Sequence, residues 1–211
     1  MEISYLGHSC FRVAGKKINV LIDPFKPEKV GLKLGKQDAD VVLVSHQHED
    51  HNNLAILKEP ETLVFDSPGE FEVKESEFIG VEGYHDDKKG EERGKITMYA
   101  FVVDGVRIAH LGDVGMELSS PQLDCLDGVD ILMIPVGGTY TIDAKAAVKI
   151  ISQVEPKIVI PMHYNMGQAD SKLAKVDAFL HEMAVSPTPQ EKLKISKKDL
   201  PEELEVVVLK A

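Results

Sequence analysis

The sequence predicts an α/β architecture, a four-layered αββα sandwich formed as a single domain over residues 1–211. Two observations predict it. Short strands broken by turns fill the first half in meander fashion, and continuous apolar strands alternate with helical patterns in the second. Strands that are apolar throughout need cover on both faces, so a sheet built from them carries helices outside and a second sheet inside.

In order along the chain, strands are expected over Glu2 to Leu6, Cys10 to Val13, Ile18 to Ile22 and Val41 to Val44, with Asp23-Pro24 ending the third. After the start signal Asn52-Asn53, Leu54 to Lys58 reads as helical, Thr62 to Phe65 as extended and Ser67-Pro68-Gly69 as a turn. Ile79 to Gly83, Ile96 to Val103 and Val106 to Leu111 are rich in β-branched and apolar residues, and Asp104-Gly105 between the last two is a hairpin signal. Pro121 to Leu126 reads as a short helix, Val129 to Pro135 as a buried strand and Asp143 to Val154 as a helix. A second buried strand over Lys157 to Pro161, a helix from about Ser171 to Met183 and a strand over Leu204 to Leu209 complete the pattern. No repeat, low-complexity stretch or Pro/Ser-rich linker interrupts it.

Composition narrows the function classes. A hydrophobic share of 43% and a charged share of 28% belong to an ordinary globular domain. With no apolar run near the length of a membrane span, and no basic and apolar leader in MEISYLGHSCF, the expectation is a cytoplasmic protein without membrane partners. The two cysteines, Cys10 and Cys125, are far apart, which argues against a disulfide framework or a thiolate zinc cluster. Any metal site must then be built from nitrogen and oxygen. A formal charge of −11 and a pI near 5.2 disfavour a nucleic-acid partner. Lys88, Lys89, Arg93 and Lys95 are interleaved with Asp86, Asp87, Glu91 and Glu92, and are read as a solvated loop. Oligomeric state is not encoded in any of these features.

The run Ser45-His46-Gln47-His48-Glu49-Asp50-His51 delivers three imidazoles and a carboxylate at the end of the apolar stretch Val41 to Val44. Imidazole and carboxylate are the ligand types of hydrolytic Zn²⁺, Mn²⁺ or Fe sites. A spacing of two puts His46 and His48 on one side of extended chain, whereas the adjacent Asp50 and His51 point differently and can serve a second ion. A solvated loop would explain a lone histidine, but not this density of ligands just after a buried strand. Further donors stand where other strands run out: His85 after Gly83-Tyr84, Asp113 after Ile108 to Gly112, and His163 after Ile158 to Met162. Strand ends along one sheet edge are where distant residues converge on a cleft.

His46-x-His48-x-Asp50-His51, Gly112-Asp113 and Pro161-Met162-His163-Tyr164 together resemble the metallo-β-lactamase superfamily. More narrowly, Leu6-Gly7-His8-Ser9-Cys10-Phe11, Ile22-Asp23-Pro24, Pro68-Gly69-Glu70 and Pro135-Val136-Gly137-Gly138-Thr139 resemble its branch of small Zn-dependent hydrolases, which includes ascorbate-6-phosphate lactonase-like proteins. The likeness covers nearly the whole chain. It implies the metallo-β-lactamase fold with two divalent ions at the sheet edge, zinc first and manganese or iron as alternatives. By the same resemblance His46, His48 and His85 would hold one ion, Asp50, His51 and His163 the other, and Asp113 would bridge them. His85 and His110 both qualify by chain order. His85 is favoured because His110, three residues before Asp113 in an extended segment, should point away from that carboxylate. His110 is then expected in the core or supporting a ligand through a hydrogen bond.

His8, Thr141 and Tyr164 are candidates for supporting a ligand or contacting substrate, and Asp23 reads as a turn or supporting carboxylate rather than a ligand. Glu70 acquires no role. The expected function is metal-dependent hydrolysis of a small-molecule ester, lactone, thioester, amide or phosphodiester, with Asp50 and Asp113 as the catalytic carboxylates. Neither a GxSxG elbow nor a phosphate-binding glycine loop offers another mechanism. Two rival readings stand beside it: a metal-loaded sensor or scaffold without turnover, and an iron-dependent redox enzyme on the same fold.

Overall fold

Burial that alternates along one set of strands, and runs unbroken along another, divides this chain into two sheets. The computed structural model describes residues 1–167 and 172–211. Its strands are β1 (Glu2–Gly7), β2 (Cys10–Ala14), β3 (Asn19–Ile22), β4 (Val41–Leu43), β5 (Leu63–Phe65), β6 (Gly69–Val73) and β7 (Ser76–Tyr84). These are followed by β8 (Lys95–Val103), β9 (Val106–His110), β10 (Ile131–Pro135), β11 (Ile158–Met162), β12 (Leu193–Lys194) and β13 (Glu205–Val206). Helices are α1 (Pro27–Val30), α2 (Ser120–Cys125), α3 (Ala144–Val154) and α4 (Val176–Glu182).

The first sheet has the order β12-β1-β2-β3-β4-β5 and the second β13-β11-β10-β9-β8-β7-β6, so both are mixed. In the first, β1 and β2 run antiparallel, as do β2 and β3, while β3, β4 and β5 are parallel. Val20, Ile22, Val41 and Leu43 face the core between the sheets, while Leu21 and Val42 join Cys10, Phe25, Val44 and Ile56 in an outer cluster. That is the strand period of two with both faces covered. The outer cover is thin: Val30 of the four-residue α1 and Ile56 of a 3₁₀ turn at Leu54–Ile56, where the sequence pattern suggests a helix to Lys58.

In the second sheet β9, β10, β11 and β13 are parallel and β6 to β9 form an antiparallel meander. β10 and β11 are buried at every position, and α3 covers them with Ala147, Ile150 and Ile151. Asp143 caps α3 by accepting the Ala146 N–H at 2.9 Å. At the β8–β9 hairpin Asp104 and Gly105 have φ of 51° and 80°, the left-handed pair that a tight twisted hairpin requires.

Some boundaries differ from expectation. Strand β6 follows the bend at Ser67-Pro68 and takes in Gly69, because the alternating Glu70-Phe71-Glu72-Val73 pairs with β7 and packs Phe71 and Val73 against the core. Helix α4 starts at Val176, since Ala174 gives its N–H to Gly137 O at 2.8 Å and that bond holds the preceding chain extended. Ser171, the expected start of that helix, lies outside the described residues. The last strand contracts to Glu205–Val206 with an isolated bridge from Leu209 to Gln190.

Strand direction gathers the distant donors. Strands β1, β3 and β4 run one way in the first sheet, and β7, β9, β10 and β11 run one way in the second. Their final residues therefore collect at common edges, and contacts such as Thr97 N–H to Ser45 O at 2.7 Å join the two edges directly. Among the described residues no helix is long and apolar enough to cross a membrane.

Candidate metal centre

The loop after β4 is shaped by Asp23. This residue follows β3 and sits in the left-handed region at φ 45°, fully buried. Its carboxylate accepts the Ser45 N–H at 2.7 Å, the Ser45 hydroxyl at 2.6 Å and His51 Nδ1 at 2.9 Å. A carboxylate only accepts, so His51 carries its proton on Nδ1 and turns Nε2 into the cleft. Since the Ser45 hydroxyl gives its proton to Asp23, His46 Nδ1, 2.9 Å away, must donate to the hydroxyl oxygen, leaving Nε2 as the acceptor. On the opposite sheet His85 Nδ1 donates to Tyr140 O at 3.1 Å, with the same result.

His46, His48 and His85 form one group whose ligand atoms lie within 4.8 Å of one another, and His8, His51, Asp113 and His163 form a second. Asp113 stands between them. Its Oδ2 is 3.1 Å from His163 Nε2, 3.2 Å from His51 Nε2 and 3.5 Å from His85 Nε2, while Oδ1 accepts the Ser9 hydroxyl at 3.3 Å. The buried Nε2 atoms of His8, His46 and His51 have no hydrogen-bond partner. Unpartnered buried nitrogens are costly, and three of them aimed into one space with a buried carboxylate are a donor set that fits divalent cations.

Electrostatics agree with that fit. Burial lowers the His46 pKa to about 3 and the His8 pKa to about 4, so both rings are neutral, the form that ligates metal. Burial alone would raise the Asp113 pKa, yet the His163 and His51 rings outweigh it and hold the carboxyl well below the usual range. Burial likewise works to lower the His51 pKa, but Asp113 and Asp23 outweigh it and raise it well above the ordinary imidazole value. The centre is built for positive charge.

Backbone strain surrounds the site. His8 and His163 have φ of 59° and 52°, and they are tied together by His163 N–H to His8 O at 2.8 Å. The Tyr5 hydroxyl also donates to His8 O, at 2.7 Å. Gly137 makes the close approach possible: a Cβ there would come within 2.1 Å of His163 O.

Of the residues expected as ligands, the structure brings His46, His48, His51, His85, Asp113 and His163 together, with His8 among them and Asp50 next to His8. His8 joins the second group, whereas Asp50 stands at the rim, its side chain 37% exposed and its Oδ2 3.3 Å from His8 Nε2 and 3.9 Å from His51 Nε2. His110 is elsewhere: Nε2 donates to Ser9 O at 2.9 Å and Nδ1 accepts the Gly112 N–H at 3.1 Å, so both ring nitrogens are used. Thr141 donates its hydroxyl to Ile142 O at 3.2 Å beside a polar cavity shared with His85 and Arg93. Tyr164 is directed away from the cleft, packs on Tyr5 with ring centroids 6.2 Å apart and lines a separate cavity. Glu70 sits exposed on β6.

The cleft over the two groups, of about 350 Å³, is lined by His48, Asp50, His85, Arg93, Asp113, Tyr140 and His163. Sequence reasoning misses Arg93 and Tyr140 in that lining. The loop Asp86 to Lys95 reads as merely solvated, and nothing local in Thr139-Tyr140-Thr141 shows that the Tyr140 carbonyl orients a ligand.

The model of the β-lactamase superfamily domain matches residues 2–163. A UPF0173 metal-dependent hydrolase of Thermoplasma acidophilum is 33% identical, with 78% of this chain and 84% of the relative covered. One from Archaeoglobus fulgidus is 32% identical with the same coverage. Among solved structures, a Thermotoga maritima protein of the metallo-β-lactamase superfamily superposes with a TM-score of 0.77 at 30% identity, covering 99% of this chain and 97% of that one. The metallo hydrolase Igni18 of Ignicoccus hospitalis, at 19% identity and a TM-score of 0.68 over 98% and 94% of the two chains, shares the fold.

Proposed function

From a chain that belongs to the β-lactamase superfamily, among its metal-dependent hydrolases, we propose a binuclear enzyme that hydrolyses a small-molecule ester, lactone, thioester or phosphodiester. His46, His48 and His85 would hold one divalent ion, zinc before manganese or iron, and His8, His51 and His163 the other, with Asp113 between. Bound there, the ions would supply an ionised water at neutral pH and positive charge for a developing oxyanion. The observation that carries this reading is the set of unpartnered Nε2 atoms on either side of Asp113 Oδ2, at the foot of a cleft large enough for a small molecule.

The protein's own groups do the rest. Asp23 and the Tyr140 carbonyl hold the Nδ1 protons of His51 and His85, so that Nε2 is the nitrogen each ring offers to an ion. Asp50, ionised and at the open rim, is positioned to accept and hold a proton beside the substrate. Asp113 is instead enclosed by the Nε2 atoms of His51, His85 and His163 and is placed to hold the ions together. Metal-replete protein screened against ester, lactone, thioester and phosphodiester panels tests the proposal. Turnover that disappears on chelation and returns with metal supports it, and no turnover of any class by protein carrying two ions overturns it.

A further inference from the structure

We propose that Arg93 binds an anionic group of the substrate at the mouth of the metal cleft, so that the molecule cleaved carries a carboxylate or phosphate away from the reacting bond. This inference deepens the hydrolase reading and rests on it for the word substrate. The Arg93 guanidinium lies over the Tyr140 ring, 4.5 Å from its centroid. Among the described residues it has no ion-pair partner, whereas Lys88 is paired with Glu92 and Lys95 with Glu82. This exposed guanidinium stands where three cavities meet. One is the metal cleft with His48, Asp50, His85, Asp113 and His163, one holds His46 and Lys95, and one holds His85 and Thr141.

Its placement is built. Asp86, next to His85, accepts the backbone N–H groups of Lys88 at 2.9 Å, Gly90 at 2.8 Å, Glu92 at 3.1 Å and Arg93 at 2.8 Å. These four amides stabilise the Asp86 carboxylate, so it orders the loop without needing the guanidinium as a counter-charge. Tyr140 meanwhile gives its carbonyl to His85 and its ring to Arg93, so one residue fixes both the ligand and the cation. Stacking restrains the face of the guanidinium and leaves its N–H edge free, the geometry that takes carboxylate or phosphate in two parallel bonds. Of the acidic side chains lining these cavities, Glu82 and Glu92 are paired with lysines, Asp50 faces His8, Asp66 accepts from Gln47, Asp86 takes the four amides, Asp87 acts on Lys88 and Asp113 lies among the imidazoles.

Inorganic phosphate titrated into the zinc-loaded protein is the first test, with metal content and melting temperature followed for each variant. Arg93→Gln should weaken phosphate binding at least about tenfold with the metal retained. Tyr140→Leu, which removes the ring and keeps the carbonyl, should weaken it in the same direction. Lys17→Gln removes an equal charge from a distant exposed site and should leave it unchanged. The second arm compares a neutral thioester with counterparts bearing a terminal carboxylate or a terminal phosphate. Arg93→Gln should lower the preference in kcat/KM for one charged form at least about tenfold, through KM, and the form affected identifies the anion. Phosphate affinity equal in wild type and Arg93→Gln, or equally weakened by Lys17→Gln, overturns the proposal. If no ester, lactone, thioester or phosphodiester is cleaved by protein carrying two ions while phosphate binding still requires Arg93, the anion site stands and the hydrolase reading fails.

Discussion

His51 Nδ1 and the Asp23 carboxylate lie 2.9 Å apart with both side chains fully buried. The same carboxylate also holds the backbone and hydroxyl of Ser45, so one residue sets the position of the loop start and the tautomer of its last histidine. Asp23→Ala should destabilise the metal-free protein by about 3 to 5 kcal/mol, because three buried donors lose their acceptor. Asp23→Asn tolerates the left-handed backbone and should fold, but with metal affinity lowered about 10- to 100-fold. Urea unfolding and chelator competition measure the two effects, and unchanged affinity in Asp23→Asn would remove the orienting role.

His85 and His110 separate by their partners. His85→Ala should lower metal content and hydrolysis with a smaller change in the stability of the metal-free protein. His110→Ala leaves Ser9 O and the Gly112 N–H without their buried partner, and should cost about 1 to 3 kcal/mol while metal is kept. Elemental analysis of the two purified variants decides it: an empty first site in His110→Ala beside a full one in His85→Ala would exchange their roles.

Two ions per chain are expected from metal-replete protein, and chelation should lower the melting temperature, since ions that bind only the folded state stabilise it. His8 and Asp50 compete for one side of the second group. Because His8 is buried within it and Asp50 lies at the rim, His8→Ala should cost one equivalent of metal, and Asp50→Asn should keep both and lose turnover. Metal retained by His8→Ala but lost by Asp50→Asn would return the ligand role to Asp50.

Gly137→Ala tests the packing behind His163. The added methyl would meet a backbone oxygen at 2.1 Å, which no side-chain rotation relieves. Destabilisation of about 1 to 3 kcal/mol and partial loss of the second metal are expected, read by thermal denaturation and elemental analysis. A variant with native stability and full metal content would show that the loop can shift freely.

Much of the candidate site is legible in the linear chain. His46, His48, His51, His85, Asp113 and His163 each follow an apolar strand, and strand ends are visible in sequence as the place where β-branched residues give way to Gly, Asp or His. The hairpin at Asp104-Gly105 is equally plain, because local conformation alone demands it. Harder are the pieces whose reason lies in distant chain. β6 is a strand because β7 pairs with it, and α4 starts late because Gly137 holds Ala174.

The two-sheet sandwich and the donor types are thus local information, since burial period, turn chemistry and ligand chemistry are properties of neighbouring residues. It takes the packed fold to place His8 in the second group in front of Asp50, to consume His110 between Ser9 and Gly112, and to leave Arg93 unpaired over Tyr140 at the cleft mouth. Those outcomes depend on the direction of single bonds across tens of residues of chain. A hydrogen bond of about 3 Å is set by the packing of both sheets together, and no local pattern carries that distance.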